Sequence, residues 1–410
     1  MLLRFLILLL APLLFWSDNG FPKAKDAQNS KPKTQNPNSQ TPNSKLETQN
    51  SKPETQTLRL MFGGDIMSQL SQIESAEIGG GQYDYTPCFQ YIKPILATAD
   101  VAIANLECTL PNHAPYTGYP NFKSPEQLAK ALKINGFDIL VTANNHALDS
   151  GLDGLNNTIK TVRTAGFMHT GTFSDIDKKR LLYPMIFYKN GFKIALLNYT
   201  HHTNSIPLPA PSIVNRLDLQ QIKLDIAEAR RMKPDLIITF LHWGEEYHLD
   251  EDANQQEIAK QLHIAGSHLV VGGHPHVVQP IKNEHFTLNG KKYDFLTAYS
   301  LGNFISSQPF PNTEGGIIFE VSLRKQNGRV MLDDYHYIPV LRYTPFEHGH
   351  LKYYALPVSP FENNPDFLNM PNDERDKMTA FAARIRKQLD QFGATERKFD
   401  AALFASPAQK

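Results

Sequence analysis

Six short apolar runs in this chain each end in a cluster of polar, chemistry-bearing residues, and this repeated arrangement limits the fold more than any other feature. Leu58 to Phe62 leads into Gly63-Gly64-Asp65-Ile66-Met67, and Val101 to Ala104 leads into Asn105-Leu106-Glu107. Ile139 to Val141 precedes Asn144-Asn145-His146-Ala147-Leu148-Asp149-Ser150-Gly151. Leu236 to Leu241 ends in His242-Trp243-Gly244-Glu245-Glu246-Tyr247, and Leu269 to Val271 ends in Gly272-Gly273-His274-Pro275-His276-Val277. Phe295 to Tyr299 runs into Ser300-Leu301-Gly302-Asn303-Phe304. Runs of this length read as buried strands. Between them, apolar residues recur at helical spacing: Leu128, Leu132 and Ile134; Leu155, Ile159 and Val162; Ile222, Ile226 and Ala229; Ile258, Leu262 and Ala265. The alternation predicts an α/β domain with a substantially parallel sheet. In such sheets ligands bind just beyond the carboxyl ends of the strands, and all six clusters fall at that edge.

The residue types there suit a metal. Asp65, Glu107, Asn145, His242, His274 and His276 supply carboxylate, amide and imidazole donors, which fit one or two ions of Zn, Mn or Fe. A carboxylate can bridge two ions ~3.5–4 Å apart, clamping a phosphoryl or acyl group and activating water. His146, beside the amide donor, is placed to act as general acid to a leaving group, with Asp149 in the same catalytic set. Glu246, Tyr247 and Asn303 are assigned to substrate contact. Each residue has a plainer role when taken singly. Asp65 would cap a turn, Asn145 would sit in a left-handed turn, Asp149 would cap the next helix, and His242 would be a packed imidazole. Their shared location favours a site. His201 and His202 follow the run Ile194 to Asn198 and rank second, because adjacent strand residues point in different directions. His263 and His268 read as packing or surface residues.

Lys+Arg and Asp+Glu both number 41, which gives no global electrostatic attraction for nucleic acid. Arg4 precedes an apolar run from Phe5 to Trp16, so residues 1–16 are expected to be a signal peptide or signal anchor. Residues 17–57 change to Asn, Gln, Ser, Thr, Pro and Lys and are expected to form a disordered tether. The main domain is expected over 58–345, with a C-terminal extension over 346–410. A hairpin turning at Asn327-Gly328 is predicted, followed by proline-rich loops from Pro339 to Pro371. A last helix, capped by Asn372, would present Met378, Phe381, Ile385, Leu389 and Phe392 on one face. Cys88 and Cys108 read as small buried thiols, with a bridge between them left open.

The motifs resemble those of the capsule-synthesis protein CapA family, a branch of the calcineurin-like metallophosphoesterase superfamily. The resemblance rests on Gly64-Asp65-Ile66-Met67, Asn105-Leu106-Glu107, Ala143-Asn144-Asn145-His146, His242-Trp243-Gly244 with Glu246-Tyr247, Gly273-His274-Pro275-His276 and Gly302-Asn303, and it covers roughly Leu58 to Val321. It implies a four-layer α/β/β/α sandwich of the metallophosphoesterase type. It also implies metal ligands at Asp65, Asn145, His242, His274 and His276, and a proton donor at His146. Two departures stand out: Met67 occupies a position where the superfamily carries histidine, and Glu107 represents its bridging aspartate. A thioether is a poor ligand for hard cations, so one metal position would be weak or empty.

The expected protein is therefore extracytoplasmic, membrane-associated or secreted, with a metal-dependent hydrolase-like site serving capsule or poly-γ-glutamate biosynthesis. Its partner would be an anionic extracellular polymer or a phosphorylated envelope component, with membrane synthase subunits as further partners. The rival readings are an envelope phosphoesterase and a non-catalytic polymer-binding subunit.

Overall fold

The computed structural model describes residues 55–288, 291–347 and 349–404. The expected leader, and the tether up to residue 54, lie outside the described residues.

Alternation along each strand explains the architecture. In Gln56–Ile66, Leu58, Leu60 and Phe62 face one core while Met61 faces another. Likewise, in Leu236–His242, Ile238 and Phe240 join the first core, and Ile237 and Leu241 join a third. Successive side chains on a strand point to opposite faces, so runs that are apolar throughout must be covered on both sides. Two sheets meet this demand by packing face to face.

The first sheet has the order Tyr354–Pro357, Arg329–Tyr343, Gly315–Gln326, Gln56–Ile66, Val101–Leu106, Ile139–Val141, Met168–Thr170. Its last four strands run parallel, while the pairings from Gln56–Ile66 back to Tyr354–Pro357 are antiparallel. The second sheet has the order Ile281–Leu288, Lys291–Ala298, Leu269–Gly273, Leu236–His242, Phe192–Thr200, Met185–Lys189, with four central parallel strands and an antiparallel strand at each edge. The single, largely parallel sheet read from residue patterns is thus two mixed sheets.

Helices close the outer faces. Leu128, Ala131 and Leu132 of Gln127–Ile134 and Val162 of Gly151–Thr164 cover the first sheet. Ile222 and Ile226 of Leu219–Arg231 and Ile258 and Leu262 of Ala253–Ala265 cover the second. The result is a four-layer α/β/β/α sandwich. Ile134, predicted for the buried face, is 54% exposed.

The predicted hairpin forms, with Gln326 opposite Arg329 and positive φ at both Asn327 and Gly328. Beyond it, the expected loops from Pro339 are partly strand, since Arg329–Tyr343 continues through Pro339. That proline falls between two short partners, Thr395–Glu396 opposite His336 and Tyr337, and Tyr354–Pro357 opposite Val340 to Tyr343. Its missing N–H therefore breaks no ladder on that side. Helix Asn372–Asp390 is preceded by Pro371 as its cap. It packs Met378, Phe381, Ile385 and Leu389 into the core between the sheets, while Phe392 lies past its end under the Lys282 ammonium. Gln388 of this helix donates to the carbonyls of Leu249 and Val278, both near site loops. Among the described residues no helix is long and apolar enough to cross a membrane.

Candidate metal centre

The polar clusters meet where the parallel strands of both sheets end. Asp65, near the end of its strand, has Asn105 as register partner on one side and Asn303 on the other. Glu107 follows Val101–Leu106 directly, and Asn145 and His146 lie beyond Ile139–Val141. From the second sheet, His242 ends its strand and His274 follows Leu269–Gly273. Carboxylates from one sheet thus face imidazoles from the other. The chain can approach this closely because residue 273 is glycine; a Cβ there would lie 2.4 Å from Asp65 Oδ1.

Asp65 Oδ1 accepts from Asn105 Nδ2 at 2.7 Å, and Oδ2 accepts from the His274 N–H at 2.9 Å. Asn105 Nδ2 also lies 3.1 Å from His242 Nδ1. His242 Nε2 lies 2.7 Å from Asn145 Oδ1, 3.1 Å from His274 Nδ1 and 3.4 Å from Glu107 Oε1. His276 Nδ1 is 3.5 Å from Asp65 Oδ2, and its Nε2 is 3.8 Å from Glu107 Oε1. Two fully buried donor sets emerge, Glu107–His242–His274 and Asp65–Glu107–His276, each with ligand atoms within 4.8 Å of one another. Glu107 belongs to both.

Burial governs the charge states. It pushes the Glu107 carboxyl well above its usual range, and the negative charges of Asp65, Glu246 and Asp149 add to the effect. Burial also opposes ionisation of Asp65, but the hydrogen bond from His276, the charges of His242 and His276 and the Asn105 amide together hold that carboxyl below its usual value. His242 and His274 are driven well below the ordinary imidazole value, first by burial and then by charged neighbours: Asp65 opposes the drop for His242, and the nearby imidazoles reinforce it for both. Neutral imidazoles keep a lone pair for a cation. Both carboxylate oxygens of Glu107 are buried without a hydrogen-bond partner. Buried acceptors are normally satisfied, so an orphaned carboxylate facing lone-pair nitrogens is a donor set short of a positive charge. The residues present fit a divalent cation.

The remaining expected residues surround this core. His146 Nδ1 donates to Asp149 Oδ2 at 2.7 Å, and the same oxygen accepts from the Phe122 N–H at 2.6 Å. Asn303 Oδ1 lies 3.1 Å from His276 Nδ1, while its amide nitrogen donates to Gln308 Oε1 and the Thr313 carbonyl. Glu246 is exposed at the rim, and its carboxylate forms a further donor set with His274 and His276. Tyr247 lies behind it, with its ring centroid 6.1 Å from that of His276. Met67 is packed in the apolar cluster under the first sheet with Phe89 and Phe304.

Sequence reasoning missed two contributors and ranked two more too low. Asn105 and Asn144 form a relay, Asn144 Nδ2 donating to Asn105 Oδ1 at 3.1 Å and to the Leu106 carbonyl at 2.7 Å. The signal was the row of polar residues at matched strand positions, visible only once register is known. His201 and His202, ranked second, both pack on His274, with ring centroids 4.6 and 5.4 Å away. Strand alternation does not apply to them, because the strand ends at Thr200 and the chain bends.

The sequence itself matches one protein family. The chain belongs to the bacterial capsule synthesis protein PGA_cap family, whose profile matches residues 59–308. It is 29% identical over 252 residues to the PGA biosynthesis protein CapA of Bacillus subtilis (strain 168), covering 58% of this chain and 61% of that protein. Identity to the capsule biosynthesis protein CapA of Bacillus anthracis is 29% over 281 residues, covering 66% of this chain and 64% of that one. The chain thus spans a little under two thirds of the length of these relatives. Among solved structures it is similar to the calcineurin-like phosphoesterase YfkN from Bacillus subtilis, with a TM-score of 0.44 and 14% identity over 69% of this chain and 90% of that one.

Proposed function

We propose that this chain acts at the cell envelope in capsule or poly-γ-glutamate biosynthesis through a hydrolase- or transferase-like centre that holds one or two divalent cations. The observation that carries the reading is Glu107, a fully buried carboxylate with both oxygens unpartnered and shared by two donor sets. Glu107, His242, His274 and Asn145 would hold one ion, and Asp65, Glu107 and His276 a second. A cation bound there supplies Lewis-acid polarisation of a phosphoryl or acyl oxygen and a water acidified toward neutral pH. Mn, Zn and Fe all suit this mixture of oxygen and nitrogen ligands.

The protein's own groups do the rest. Asp65 and Asn105 fix the His274 backbone and the His242 ring. Because Asp149 accepts from His146 Nδ1, the ring's Nε2 is the atom left to give or take a proton at a leaving group. The substrate class is an anionic polymer or a phosphorylated envelope component, with poly-γ-glutamate favoured by the names of the relatives. The apolar run Phe5 to Trp16 supports export.

The full chain should be assayed for bound metal and for turnover of poly-γ-glutamate and of nitrophenyl phosphate. Stoichiometric metal, with turnover that disappears in His274→Ala, is the expected result. No metal uptake from Mn, Zn or Fe would end the reading. A second reading, a polymer-holding subunit without turnover, rests on Met67, whose apolar packing leaves the Asp65 set with three donor residues. Metal retained without turnover of either substrate would favour it.

A further inference from the structure

We propose that Glu246 is itself a cation ligand, closing the mouth of the centre on the ions that His274 and His276 hold. This rests on the cation reading above and replaces the substrate contact that sequence suggested for Glu246. The ligand atoms of the three residues lie within 4.8 Å of one another. They differ in burial, since both histidines are enclosed while the carboxylate is exposed. A mouth so built keeps an open side for water or for a substrate oxygen.

Two features hold the segment that carries this carboxylate against the histidine loop. First, the backbone on either side of Glu246 is tied to the histidine loop. The Trp243 N–H donates to the Gly273 carbonyl at 3.1 Å, and the Tyr247 N–H donates to the Pro275 carbonyl at 2.8 Å. The arrangement needs left-handed backbone at three non-glycine residues, Tyr247 at φ 67°, His274 at φ 95° and His276 at φ 59°. Conformations of this kind persist only where surrounding structure enforces them, and they gather at functional sites.

Second, a hydrogen-bonded chain runs from Tyr247, the residue after Glu246, to His276. Gln308 Nε2 donates to the Tyr247 hydroxyl at 3.5 Å. Gln308 Oε1 accepts from Asn303 Nδ2 at 2.9 Å, and Asn303 Oδ1 meets His276 Nδ1 at 3.1 Å. Tyr247, Gln308 and Asn303 thereby act as positioning residues. Partners that stand behind an imidazole and fix its orientation are the usual companions of metal ligands.

The test is Mn2+ titration of the chelator-stripped full chain by calorimetry, comparing wild type with E246Q, E246D, Y247F and E245Q. In E246Q the weakest Mn2+ equivalent is expected to be lost or weakened at least tenfold. Under the same titration E246D should recover most of the affinity, Y247F should lose part of it, and E245Q should match wild type. Melting temperatures of the stripped proteins, unchanged among variants, show that the fold is intact. An E246Q titration that overlays wild type overturns the proposal and leaves the inner centre standing. Wild type that takes up no Mn2+ overturns both.

Discussion

Asn105 Nδ2 donates to Asp65 Oδ1 over 2.7 Å, and neither side chain reaches solvent. The same nitrogen lies 3.1 Å from His242 Nδ1, so one amide spaces a carboxylate on the first sheet from an imidazole on the second. Asn105→Ala is expected to weaken cation affinity by about 10–100-fold, as loss of a ligand-orienting group does. It should also lower stability by about 1–3 kcal/mol, because Asp65 is left short of a donor. Calorimetric titration and denaturant unfolding read the two effects separately.

The His146–Asp149 pair makes a different prediction. Asp149→Ala removes the acceptor that fixes which ring nitrogen of His146 carries the proton. Turnover should drop by about 10²–10⁴-fold with cation equivalents unchanged. If metal content falls in parallel, the pair belongs to the cation-binding set and not to proton transfer.

His263 provides a pH signature away from the centre. It is buried on helix Ala253–Ala265, with Nδ1 2.8 Å from the Ser267 carbonyl and Nε2 2.9 Å from Thr297 Oγ1. Burial pushes its imidazole down from 6.5 to about 4; the Ser267 carbonyl opposes the drop and the charge of His268 adds to it. The folded state therefore binds fewer protons than the unfolded chain. Its contribution is complete above about pH 6.5 and is lost as pH falls toward 4. Wild type should lose on the order of 3 kcal/mol more than His263→Gln across that window, measured by denaturant unfolding at each pH.

The two cysteines are free, Cys108 buried and Cys88 partly exposed. Burial pushes both thiols up to about 12. Native protein at pH 8 should react with Ellman's reagent roughly a hundredfold to a thousandfold more slowly than unfolded protein, with Cys88 first. Rapid release of two equivalents without denaturant would contradict the packing around both.

Much of the site could be read from the chain because its ligands follow apolar runs, and strand ends in parallel sheets face one edge. Asp65, Glu107, His242 and His276 meet for that reason. What stayed hidden depended on information that spacing does not carry. The division into two sheets is set by which strands pair, and Gln56–Ile66 pairs with Gly315–Gln326, about 260 residues away in sequence. Asn105 gains its role only from register with Asp65. Pro339 argued for a loop on local grounds, but a gap between two short partner strands accommodates it.

The donors of the centre are divided between the sheets, Asp65 and Glu107 on one, His242 and His274 on the other. An ion seated among them would rivet the two halves of the sandwich across their seam. At a free concentration a thousand times its dissociation constant, such an ion would add about 4 kcal/mol to the work of prying them apart. The mechanical toughness of this protein would then be set by its surroundings as much as by its own packing, rising and falling with the free metal around it.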